Sequence, residues 1–243
     1  MSNSVWDQAV AEAYDANSAE MFDDAVVLPA VDLLAELTGD GRALEFAIGT
    51  GRIGLPLRER GVDVVGIELS QPMVDQMMKK PGADRVPVTI GDMATTRVEG
   101  TFSVVYLVFN TITNLLTQDE QVECFRNASR HLDPGGHFVI EVGVPDLRRL
   151  QVGETYIPFD VSESHLGFDE YDVVNQRLVS HHYWVAKGRA RTLDSPHRYA
   201  WPAEYDLMAK IAGMTLVERW SDWHRAPFTS DSTSHVSVWQ KTS

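Results

Sequence analysis

Apolar residues recur at helical spacing over the first forty positions. In SVWDQAVAEAY and AVVLPAVDLLAELTGDG they fall three and four apart, and Gly-Asp-Gly stops the second run, so both stretches predict helices. The pattern then becomes a strict alternation of strand and helix. RALEFAI predicts a strand and GRIGLPLRERG a helix closed by glycine. VDVVGIEL predicts a strand and SQPMVDQMMKK a helix, with Ser70 as cap and Pro72 in the first turn. VPVTIGD is a short strand. FSVVYLVF is nearly all apolar, as a strand covered on both faces should be. TQDEQVECFRNASRHL predicts a helix with Thr117 as cap and Glu120 at the capping-box position; DPGG then predicts a turn, and HFVIEVG a strand.

Strands alternating with helices imply a parallel sheet covered on both sides, with right-handed crossovers. The fold class is therefore α/β, a Rossmann-like doubly wound sheet, with its ligand beyond the carboxyl ends of the strands. After Pro145 the alternation fails. Residues 150–200 are rich in aromatic and β-branched residues and turn signals, and predict three or four short antiparallel strands. The helix PAEYDLMAKIAG and the strand TLVERW resume the order, and SHVSVWQK closes the chain. Residues 1–243 read as a single domain, with 150–200 a small antiparallel β insertion mounted on it.

A hydrophobic fraction of 44% and a charged fraction of 23% suit a globular protein. The net charge of −14 argues against nucleic acid and against an anionic membrane as partners, and suits a ligand carrying positive charge. No stretch reaches the roughly 18 apolar residues of a membrane span. The single cysteine, Cys124, excludes a disulfide framework within the chain and is expected to be a small buried hydrophobe. Without a signal sequence, a cytoplasmic location is expected, as a monomer or homodimer. No regular His, Asp or Glu spacing points to a metal site.

LEFAIGTGRIG carries G-x-G-x-x-G at Gly49, Gly51 and Gly54. Three acids stand at successive strand ends: Glu45 in the first, Glu68 closing the second, Asp92 after the third. Over a nicotinamide dinucleotide, Glu68 would suit the ribose, but Glu45 and Asp92 would repel the pyrophosphate. S-adenosylmethionine has no phosphate. It offers a cationic methionyl end, ribose hydroxyls and an adenine amino group to such a rim.

At these residues the chain resembles the class I S-adenosylmethionine-dependent methyltransferases. LEFAIGTGR resembles their E-x-G-x-G-x-G motif, GIELSQPMV the second-strand segment, GDM the adenine turn, and HLDPGGHFVIE the run into the fifth strand. The resemblance implies a seven-stranded sheet with an antiparallel last strand, and S-adenosylmethionine as cofactor. It implies Glu45 near the methionyl end, backbone contacts at Gly49 and Gly51, Glu68 on the ribose hydroxyls, and Asp92 with the Met93 amide on adenine. Met73 or Leu69 would pack an adenine face, Phe109 would border the sulfonium, and Tyr14 would close over the cofactor. Ala47 stands where the family has its first motif glycine. Arg52 would meet the carboxylate end or pair with an acid. Gly54 reads as a helix-packing glycine.

The implied reaction is in-line methyl transfer to a small-molecule acceptor. A nicotinamide-dependent oxidoreductase and a non-catalytic S-adenosylmethionine-binding protein are the alternatives. Asn110, Thr111 and Asn114, just beyond the fourth strand, are candidate acceptor contacts, as are His181, His182 and Tyr199 in the insertion, which is expected to wall or cover the acceptor. Adjacent strand residues face opposite sides, so at most one of His181 and His182 can enter a cleft. His165, His181, His182 and Glu141 are candidates for a general base. Trp184, Trp201, Trp220 and Trp239 are expected at strand positions, mostly in the core.

Overall fold

The computed structural model describes residues 7–186 and 189–242. The chain enters through α1 (Gln8–Asn17), capped by the Asp7 carboxylate, and α2 (Asp24–Thr38), capped by Asp23. The alternating region follows: β1 (Arg42–Phe46), α3 (Gly54–Glu59), β2 (Asp63–Glu68), α4 (Gln71–Met77), β3 (Val88–Ile90), β4 (Phe102–Leu107), α5 (Gln118–His131) and β5 (Leu132–Gly143). Ser4 to Trp6 of the first predicted helix lie outside the described residues. α4 starts at the Ser70 cap and α5 at a complete Thr117–Glu120 capping box, both as the sequence patterns require.

Seven strands form one sheet in the order β10-β11-β5-β4-β1-β2-β3, where β10 is Met214–Trp220 and β11 is Ser234–Lys241. β11 runs antiparallel between β5 and β10, and the pairings within β1 to β5 are parallel. The strand order reverses between β1 and β4, so a crevice opens beyond their carboxyl ends. Leu44, Phe46, Val105 and Leu107 join the core under α5 and under α6 (Pro202–Ile211). Ala43, Val104 and Tyr106, alternating with them, join the core under α2 and α3. Burial on both faces explains the unbroken apolar run of β4. Cys124 is buried in the first core.

Two local expectations are corrected. The DPGG stretch is not a turn before a strand but lies within β5. Pairing with β4 jumps from Phe102–Leu132 to Val104–His137, so the extra residues form a bulge. Trp201 is not on a strand: it precedes α6 at the cap position, 42% exposed, while Trp239 on β11 is fully buried.

The region after β5 forms a separate antiparallel sheet, β6 (Tyr156–Val161), β7 (His165–Asp172), β8 (Arg177–Ala186) and β9 (Arg189–Arg198), in that order. Its end is nailed to the main body. The Arg198 guanidinium, 4% exposed as a residue, donates to Gln121 on α5 (2.6 Å), Gln176 (3.1 Å) and Glu204 on α6 (2.6 Å). Among the described residues, no helix is long and apolar enough to cross a membrane.

Candidate active site

The loop from β1 to α3 turns sharply at Ala47 (φ 53°), Gly49 (φ 58°) and Gly51 (φ 81°). Glu68, at the end of β2, holds it. One carboxylate oxygen accepts from the Gly49 amide (2.8 Å), the other from the Ser70 amide (2.8 Å). Burial raises the Glu68 pKa, against the amides of Ser70, Gly49 and Leu69, which lower it. Glu68 forms part of the wall of an inner cavity, with Tyr14, Ala47, Gly49, Leu69, Met73, Gly91, Met93, Thr111 and Asn114.

The expected rim of three acids is narrowed by the structure. Glu45 is 2% exposed and lies beneath the glycine turn, not on the cavity wall. It sits opposite Tyr106 in the β1–β4 register and accepts from the Tyr106 hydroxyl at 3.0 Å. Burial pushes its pKa up to about 8, despite the Tyr106 hydroxyl, Arg52 and the Gly54 amide. At neutral pH it is mostly protonated, so it contributes little negative field. Asp92 flanks the cavity between Gly91 and Met93, and one of its oxygens accepts from the Ala94 amide (2.8 Å). Gly51 and Gly54 serve packing. A Cβ on Gly51 would press on Leu55 at 2.8 Å, and one on Gly54 on the Glu45 carboxylate at 2.6 Å. The Arg52 guanidinium lies 5.1 Å from the Phe109 ring centre and donates to the Met21 carbonyl.

Phe109 and Asn110, past β4, both adopt left-handed backbone (φ 57° and 59°). Such conformations cost about 1–2 kcal/mol for each side-chain-bearing residue and persist where the surroundings hold them. Here β5 holds them. The Glu141 carboxylate accepts from the Phe109 amide (2.9 Å), its carbonyl from the Asn110 amide (3.1 Å), and the Asn110 side chain from the Gly143 amide (2.6 Å). Glu141, a candidate base by sequence, is thus a backbone clamp.

That turn borders an outer cavity, walled on one side by Tyr14, Phe109, Asn110, Thr111, Thr113 and Asn114, and on the other by the insertion through Tyr171, Leu178, Ser180, Ser195, His197 and Tyr199. Tyr14, Thr111 and Asn114 belong to both cavities, so the two adjoin. α1 is tied over this junction: Asp15 accepts from the Thr50 hydroxyl (2.7 Å) and pairs with Lys80 (2.5 Å).

The structure does not bring His181 or His182 to either cavity wall. His181 lies on the opposite face of the insertion sheet from Ser180, between Glu170 and Asp194, which together outweigh burial and raise its pKa. His182 shares the face of Ser180 but is stacked against His165 and Trp184, with ring centres 5.2 Å away in each case. His165 is itself bonded to Asp160 and His182. The histidine on the wall is His197. Its segment HRYAWP, His197 to Pro202, suggests a mostly apolar acceptor pocket by sequence, but His197 itself is not among the candidate contacts or bases. Burial, with His182 nearby, pushes its pKa down to about 4.

The inner cavity fits a nucleoside that carries no phosphate. Among the described residues its wall includes no Lys or Arg, and the Gly49 amide that a pyrophosphate would use is already taken by Glu68. The Glu68 carboxylate is an acceptor of the kind ribose hydroxyls need, and Leu69, Met73 and Met93 offer apolar surface to a flat base. Comparison with known proteins agrees. The model of the methyltransferase domain family matches residues 43–136. The solved CcbJ methyltransferase from Streptomyces caelestis is 34% identical over the whole of both chains, with a TM-score of 0.87. The cypemycin N-terminal methyltransferase from a Streptomyces species is 29% identical over 98% of each chain. A dTDP-4-amino-2,3,4,6-tetradeoxy-D-glucose N,N-dimethyltransferase from Saccharopolyspora spinosa is 34% identical over 40% of this chain and 39% of its own. The chain belongs to the class I S-adenosylmethionine-dependent methyltransferases. It is an enzyme that uses S-adenosylmethionine to methylate a small-molecule acceptor, and the dinucleotide alternative falls away.

Proposed function

We propose that this enzyme methylates an amine nitrogen of a small molecule whose body carries no phosphate. The inner cavity holds S-adenosylmethionine and the outer cavity the acceptor. The observation that carries this reading is their common wall at Tyr14, Thr111 and Asn114, which lets a methyl group and an acceptor meet there. In this assignment Glu68 accepts from the ribose hydroxyls. Asp92 and the Met93 amide serve adenine, packed against Leu69 and Met73. Ala47 and Gly49 let the backbone approach the ligand. Arg52, stacked on Phe109, serves the methionyl end; Glu45 and Gly51 support the loop from beneath. The insertion forms the acceptor wall, with Asn110, Asn114 and Tyr199 as polar anchors.

S-adenosylmethionine supplies a methyl group already activated on a sulfonium. The protein's task is to hold the acceptor in line and keep water out, and such positioning is worth roughly 7–11 kcal/mol. Of the relatives named above, one is an N-terminal methyltransferase and another an N,N-dimethyltransferase of a dTDP-linked amino sugar. The outer cavity favours the phosphate-free acceptor of these two kinds. Among the described residues no Lys or Arg lines it, and the chain carries a net charge of −14, so a nucleoside diphosphate would meet no counter-charge there.

Calorimetric titration tests the cofactor half. S-adenosylhomocysteine should bind once per chain, and Glu68→Ala should weaken it by roughly 1–3 kcal/mol. Undiminished affinity in that variant would show that the nucleoside lies elsewhere.

A further inference from the structure

We propose that His197 accepts a hydrogen bond from the acceptor amine through the lone pair of its Nε2, and so aims the nitrogen at the methyl group. This rests on the amine reading above and names the residue that orients the amine.

Thr113 fixes the tautomer of His197. Its hydroxyl has one hydrogen, and the Asn110 carbonyl lies 2.7 Å away, against 3.1 Å for His197 Nδ1. The shorter contact takes the hydrogen. The hydroxyl then meets Nδ1 only as an acceptor, so Nδ1 carries the imidazole proton. A neutral imidazole has one N–H, and Nε2 is left with a bare lone pair. No hydrogen bond to Nε2 is made by any described residue. Burial holds the imidazole neutral throughout the physiological range, which keeps the lone pair available. The backbone that carries the ring is also fixed: His197 pairs with Leu178 across β8 and β9, and its neighbour Arg198 is locked to α5 and α6. Thr113 and His197 line the same outer cavity, which adjoins the inner one through Asn114 and Tyr14.

A histidine so hard to protonate is a weak base. It therefore positions the neutral amine and does not hold a proton. The amine lone pair closes the new N–C bond while the pair of the broken C–S bond returns to sulfur. The nitrogen leaves as a methylammonium that still carries its own hydrogens. A primary or secondary amine has an N–H to give to Nε2, and a neutral tertiary amine has none.

The test has two arms on the full-length protein saturated with S-adenosylhomocysteine or S-adenosylmethionine. Nitrogen-15 NMR of labelled histidine should show His197 as the Nδ1–H tautomer from pH 6 to 8, and Thr113→Val should release it. An Nε2–H tautomer in the wild-type protein would overturn the inference. In the second arm, glucosamine, alanyl-alanine, hexylamine and the N-methyl and N,N-dimethyl forms of each are offered as acceptors. His197→Ala should lose roughly 10- to 100-fold in kcat/KM on primary and secondary amines while binding S-adenosylhomocysteine as the wild type does. Thr113→Ser should restore what Thr113→Val loses, and neutral tertiary amines should not react. Turnover indifferent to His197→Ala would overturn the role of His197 alone. No turnover of any amine, with the tautomer as expected, would overturn the amine reading and His197's role with it.

Discussion

Glu45 and Glu68 are two strand-end carboxylates with different fates. Glu68 meets two backbone amides at the cavity wall, whereas Glu45 is shut beneath the turn against Tyr106. Because the folded pKa of Glu45, about 8, lies above its ordinary value, its contribution to stability is complete below pH 4.5 and is lost as pH rises towards 8. Glu45→Gln should therefore match the wild type near pH 4.5 and exceed it by a few kcal/mol above pH 8. Chemical denaturation at the two pH values would read this, and equal stability at both would contradict it. Ala47 holds a conformation suited to glycine, so Ala47→Gly should gain up to about 1 kcal/mol in the same assay. The sequence marks both acids and the Ala-for-Gly departure. It could not tell which acid faces the ligand, because Tyr106 lies 61 positions from Glu45 and only the β1–β4 register brings them together.

At the scale of elements, clamps between distant segments shape the cavities. Glu141 and Asn110 lock the end of β4 to β5, and Arg198 locks the end of β9 to α5 and α6. Hydrogen bonds from Gln176, Arg198 and Gln118 hold the Glu204 pKa down against burial. Arg198→Met would leave that carboxylate without its cation, and should cost about 3–5 kcal/mol in unfolding free energy. Methyl transfer should fall as well, since Tyr199 and His197 adjoin the lost anchor. A loss under 1 kcal/mol would show that the network is dispensable. The helices and strands themselves were legible from periodicity and caps, down to the Thr117–Glu120 box. The bulge at DPGG and the position of Trp201 were not. Turn residues fit a strand bulge equally well, and the cap at α6 depends on where the insertion rejoins the sheet.

For the whole molecule, burial of ionisable groups sets the response to pH. His197 and His235 are held neutral, with pKa values pushed down to about 4 and about 3, burial being the first cause in each. Their contribution is present above pH 6.5 and is lost as pH falls through those values. Glu45 acts in the opposite sense between pH 4.5 and about 8. Together these three groups place the stability maximum at about pH 6.5, which scanning calorimetry across pH 4–9 would locate. An optimum above pH 8 would contradict that balance. The sequence shows the net charge and the alternation that makes the sheet. It does not show which histidine is buried, since all eight look alike without their neighbours. The measurement that bears most directly on the account is transfer from methyl-labelled S-adenosylmethionine to matched acceptors, each offered as an amine and as its hydroxyl analogue, with the labelled atom located by mass spectrometry. Label is expected on nitrogen, with none on the hydroxyl partners. Label on oxygen, with the amines untouched, would contradict it.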